Sequence, residues 1–163
     1  MKYKLEYTGI FPTDDDILIS CSIFKLKNSY KDFSKYIDGL KLLIDTTISN
    51  NMKMIIFYDH SMDSDNDFKQ IIDKYKTKIL FCSYRFDDII DDDGYHKGVF
   101  GTFVRFMPIF LTEIRYKCLF VSDIDYPIYE IKIHIMYLIN KFIGTKYDFN
   151  VIFNTKYNIM CIF

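Results

Sequence analysis

The chain has 163 residues, half of them hydrophobic, a formal net charge of -1 and no tryptophan. That length fits one domain around one core, and the near-neutral charge excludes a basic field able to gather nucleic acid or an anionic membrane surface. No run approaches the roughly 18 apolar residues of a membrane span, and the N-terminal residues alternate charge with aromatics, unlike a signal peptide.

Cys21, Cys82, Cys118 and Cys161 are scattered through apolar runs with no C-x-x-C pair. Buried thiols in a reducing, cytoplasmic setting explain them better than zinc or disulfides. Aspartates gather at 14–16, 59–67 and 87–93, the pattern of solvated loops. Arginine occurs only at Arg85, Arg105 and Arg115 in a lysine-rich chain, which sets each guanidinium apart from merely solvating positions.

In chain order, a polar lead-in with Pro12 and an aspartate turn precedes residues 17–24 (I-L-I-S-C-S-I-F), a predicted buried strand. Asn28 or Ser29 is placed to cap a helix whose apolar residues, Tyr30, Phe33, Ile37, Leu40, Ile44 and Ile48, recur every three or four positions. Residues 53–58 form a second predicted strand. Ser64 or Asn66 then starts a short helix with Phe68, Ile71, Ile72 and Tyr75 on one side, and residues 78–84 form a third strand. Strands alternating with helices predict right-handed crossovers and an α/β fold, a mainly parallel open sheet with helices on both faces. After an acidic loop at 87–94, residues 96–110 read as a helix, 128–142 as another (Ile131, Ile135, Leu138 and Phe142 in register, Gly144 as its end), and 148–163 as two short strands.

Two stretches carry chemistry. Wound as a helix, residues 96–110 put Val99, Phe103, Phe106 and Phe110 on a core face, and Gly98, Gly101, Thr102 and Arg105 on another. The second face has little side-chain bulk before a guanidinium, so a phosphate could lie along it with Arg105 gripping it. Equally, the glycines could let the helix pack tightly on the sheet while Arg105 pairs with an aspartate. The second stretch, residues 116–127, is an apolar strand ending in Asp123-Ile124-Asp125 before Pro127. Side chains at i and i+2 share one side of a strand, so the two acids converge while Ile124 turns away. Carboxylates roughly 6 Å apart repel by about 3 kcal/mol at an effective dielectric near 20, and a divalent Mg²⁺ or Mn²⁺ would reverse that sign. The plain alternative is an aspartate-rich turn.

The runs G-V-F-G-T-F-V-R-F-M-P-I-F (98–110) and F-V-S-D-I-D (120–125) resemble GT-A-type glycosyltransferases, in particular the nucleotide-sugar transferases of giant viruses and the glycogenin and galactosyltransferase group. The resemblance implies a Rossmann-like nucleotide-binding half and transfer of a sugar from a nucleoside-diphosphate sugar to a sugar or protein acceptor. It makes Asp123 and Asp125 the D-x-D acids that hold Mn²⁺ or Mg²⁺, with Asp123 also near the ribose. It sets Arg105 on the nucleotide and Ser20 and Ser22 where a base would be read. Two features depart from the pattern: no aspartate follows the first strand, and only residues 126–163 follow the D-x-D. The implied domain is therefore shortened on its acceptor side. His134 falls too close behind the acids to be the later metal-binding histidine, His60 and His96 read as surface histidines, and no residue stands out as a catalytic base. A non-catalytic relic of the same fold, acting as a binding or assembly module, is the alternative.

Overall fold

The structure, a computed structural model, describes residues 3–27, 29, 32–86, 95–124, 141–143 and 145, and the backbone of 150–154 and 158–162. Its strands are β1 (Tyr3–Gly9), β2 (Ile17–Ile23), β3 (Lys53–Asp59), β4 (Leu80–Phe86), β5 (Cys118–Val121), β6 (Asn150–Asn154) and β7 (Asn158–Ile162); its helices are α1 (Phe33–Ser49), α2 (Asn66–Tyr75) and the short α3 (Gly101–Val104). The strands form one mixed sheet in the order β1-β4-β3-β2-β5-β7-β6. The four central strands, β4, β3, β2 and β5, run parallel. Antiparallel β1 closes one side, and the β6-β7 hairpin extends the other.

Strict alternation along the central strands divides the core in two. Ile19, Cys21 and Ile23 of β2 and Met54, Ile56 and Tyr58 of β3 meet the apolar stripes of α1 and α2 on one face. Leu18, Ile55, Phe57 and Val121 meet the segment around α3 on the other. Both faces of β2 and β3 are covered, which is why these strands read as unbroken apolar runs rather than alternating ones. The α/β class with helical elements on both faces holds, with, among the described residues, the full helices α1 and α2 on one side and the short α3 on the other.

Several boundaries differ from the sequence reading. Helix α1 starts at Phe33 because Asp32 is its cap, its carboxylate accepting the Ser34 N–H at 3.1 Å; Asn28 and Tyr30 lie outside the described residues. Ile37, Leu40 and Ile44 are buried as the periodicity requires. Strand β4 begins at Leu80, not Lys78, because the Lys78 and Ile79 N–H groups bond back to the Tyr75 carbonyl and close α2. It runs on to Phe86 because β1 pairs with it from Tyr3↔Phe86 to Gly9↔Leu80. Strand β1 was hidden in the polar lead-in. Its Leu5 and Tyr7 pack on the α3-side core while Lys4 and Glu6 point the other way. Gly9, at φ +126°, ends it where any side chain would strike the Ile79 carbonyl. Of the predicted 128–142 helix, only 141 and 142 are described; they are helical, as is 143, and Phe142 is buried against the α1-side core.

Candidate functional site

The order of the parallel strands reverses between β2 and β5. From β2 the chain builds outward through β3 and β4, then returns to lay β5 on the other side of β2. Such a reversal leaves a crevice at the carboxyl ends of the two diverging strands, where open α/β sheets bind ligands. Here the ladder runs one step past β5, with the Ser122 N–H bonded to the Ser20 carbonyl at 2.9 Å.

Beyond Val121 the alternation persists. Ile124 is buried with the α1-side core, while Asp123 sits opposite and pairs with the Arg105 guanidinium. The expected divergence of Ile124 from the acid is therefore present; Asp125 lies outside the described residues. Arg105 reaches this edge from the segment that covers the α3 face. The segment is tied down at three places: the His96 N–H bonds to the Lys25 carbonyl at 2.8 Å, Val104 is buried in the core, and the Ser20 hydroxyl donates to the Arg105 carbonyl at 2.6 Å. The side chains of Arg105 and Asp123 are 14% and 27% exposed, so the ion pair is largely withdrawn from water but open on one side. Arg105 Nε is buried and has no partner among the described residues. Burial pushes the neighbouring Cys21 thiol up, a shift that Arg105 opposes and Asp123 adds to.

The single helix expected over 96–110 is not formed. Gly98 turns at φ +65°, α3 has four residues, and a 3-10 turn follows at Met107–Ile109. Pro108 lacks the N–H that an α-helix would return to Val104, so the helix cannot run through it. The expected core face holds only at Phe106, which packs against the core; Val99, Phe103 and Phe110 are 60%, 63% and 74% exposed. Phe100, Val104, Met107 and Leu111 pack inward instead, a stripe rotated by one position. Gly101 explains the rotation, because it lies against the Phe24 ring where a methyl group would collide.

The four residues expected to share a phosphate face are thus dispersed. Gly101 is consumed in packing, and Gly98 sits in an exposed turn whose carbonyl accepts from His96 Nδ1 at 3.2 Å. The Thr102 hydroxyl turns back to the Val99 carbonyl at 2.6 Å. A four-residue helix also has no appreciable dipole to offer an anion. Arg105, Asp123 and Ser20 are the expected site residues brought together, with Ser22 further along the same face of β2.

Three buried residues were not singled out as part of this edge. Asp59 ends β3, and its Oδ1 accepts the Ser61 N–H at 2.8 Å. Tyr84 lies beside it across the ladder; burial and then the Asp59 carboxylate push its phenol far up, so it stays neutral. His96, expected at the surface, is 3% exposed, with its ring centroid 4.7 Å from that of Phe24 and 6.2 Å from that of Tyr84. The period-two register of β3 and β4 was the available signal, since it puts Asp59 and Tyr84 on the Arg105 side. A separate surface pocket of about 100 Å³, lined by Lys4, Glu6, His60, Asp63, Ser83 and Arg85, lies on the α2 side of β1 and β4, across the sheet from Arg105.

As a metal site, the edge offers the hard carboxylate oxygens that Mg²⁺ and Mn²⁺ prefer, so Asp123 fits such an ion by donor chemistry once its guanidinium partner gives way. Among the described residues no three His, Cys, Asp or Glu side chains converge, and no helix is long and apolar enough to cross a membrane. Fold and edge together define an α/β protein with a partly exposed Arg105–Asp123 ion pair at its strand-order reversal. No protein-family model, curated protein or solved structure matches the chain.

Proposed function

We propose that the protein binds a nucleoside-diphosphate sugar at the carboxyl edge between β2 and β5, and that it is a metal-dependent glycosyltransferase of the GT-A type with a Rossmann-like nucleotide-binding half. One observation carries the reading: the Arg105 guanidinium and the Asp123 carboxylate meet at the strand-order reversal, partly open to solvent. In this reading Asp123 and Asp125 hold Mn²⁺ or Mg²⁺, and Arg105 takes the diphosphate. When bound, the cation supplies Lewis-acid stabilisation of the departing nucleoside diphosphate. Arg105 adds a preorganised positive group where that charge develops, while Ser20 fixes its backbone. Asp59, Tyr84 and His96 provide a rigid, buried wall to the same side.

A charge-assisted hydrogen bond contributes about 1.5–3 kcal/mol, or about ten- to a hundredfold in affinity. Arg105→Met is therefore expected to weaken nucleoside-diphosphate binding by that factor, and Asp123→Asn to remove its manganese dependence. Titration calorimetry over a panel of nucleoside diphosphates and their sugars, with and without manganese, measures both. Absence of binding by the wild-type protein across the panel would overturn the reading.

A second reading, a non-catalytic binding or assembly module on the same fold, is favoured by the exposed Val99, Phe103, Ile109 and Phe110. A stable oligomer in light scattering, with no nucleotide binding and no sugar-nucleotide hydrolysis, would select it.

A further inference from the structure

We infer that Arg105 latches Asp123, so that a divalent cation gains the carboxylate only when an anion draws the guanidinium away. This rests on the metal-dependent reading above and concerns the order in which that site fills. The Arg105 backbone is held on both sides, by buried Val104 and by the Ser20 hydroxyl on its own carbonyl. Opening is thus confined to the side chain. With the guanidinium on Asp123, the acid's charge is already neutralised, and an arriving dication meets a fixed positive group beside its ligand. Displacing Arg105 without replacement would strand a guanidinium that is 14% exposed and whose Nε already has no partner among the described residues. An uncompensated charge in such a place is strongly unfavourable. A diphosphate resolves both difficulties at once, giving Arg105 a new anionic partner and sharing the cation with the freed carboxylate. Cation and diphosphate then raise each other's affinity by the same factor, as linkage requires.

The test is manganese binding without nucleotide, followed by the loss of the free-ion signal in electron paramagnetic resonance. Arg105→Gln is expected to bind manganese at least tenfold more tightly than wild type, and adding Asp123→Asn should abolish that gain. Arg105→Lys, which keeps a charge but not the planar fork, should gain severalfold and decides the matter if the glutamine variant does not fold. Equal manganese affinity in wild type and the folded variants overturns the latch while leaving the metal site standing. If neither these variants nor wild type with a nucleoside diphosphate retains protein-bound manganese, the metal-dependent reading falls and the latch with it.

Discussion

Asp65 shows how much of a local effect turns on one charge. Its carboxylate caps α2 by accepting the Phe68 N–H at 3.0 Å and holds the Lys25 ammonium. Burial acts to raise its carboxyl, but the Lys25 contact and the main-chain N–H groups outweigh it and hold the group below its ordinary 3.8. A depressed carboxyl stabilises the fold fully above its unfolded value, and that stabilisation is lost as pH falls through the lowered one. Asparagine caps as well as aspartate, so Asp65→Asn isolates the charge. With side chains 34% and 15% exposed, the pair is expected to contribute about 0.5–1 kcal/mol at neutral pH. Thermal melts should show wild type ahead of the variant at pH 7 and the two converging as pH falls below 3.8 and through the lowered value. At the same scale, the D-I-D stretch was legible because alternation alone separates Asp123 from Ile124. The partner of Asp123 was not, since sequence offers Arg105 both an anion to grip and an aspartate to pair with.

The strongest elements were readable because their patterns have one solution. The stripe of α1 can be buried in only one way, and β2 and β3 are too apolar to face water on either side. The 96–110 segment failed because it holds two helical stripes one residue apart, and the expected core face took in only the one built on Val99 and Phe103, leaving unweighed the one built on Phe100 and Val104, which packs inward. The decision lay in a contact no spacing reveals, Gly101 on the Phe24 ring. Gly101→Ala tests it. Helix propensity would favour alanine by about 1 kcal/mol, but a four-residue helix gives propensity little leverage, and overpacking costs about 1–3 kcal/mol. Net destabilisation in urea is expected, with partial recovery when Phe24→Leu is added. Strand β1 was missed for a different reason: at the sheet edge only its Leu5 and Tyr7 are partly buried, so its charges masked the Tyr3, Leu5, Tyr7 alternation.

For the molecule as a whole, the crossover rule carried the parallel centre, because strand-helix-strand repeats leave few alternatives. The antiparallel additions at both margins follow no such rule and depend on which edges happen to be free. The reversal of order beside β2 was likewise invisible in the chain, although it is what sets Arg105 and Asp123 at a common rim. The rotated stripe on the 95–110 segment has a consequence for handling. It turns two phenylalanine rings, a valine and an isoleucine toward water in a short length of chain. Salts excluded from protein surfaces strengthen apolar association, so the protein should adhere to a phenyl-substituted resin in ammonium sulfate and elute as the salt is lowered. Phe103→Ser with Phe110→Ser should elute markedly earlier.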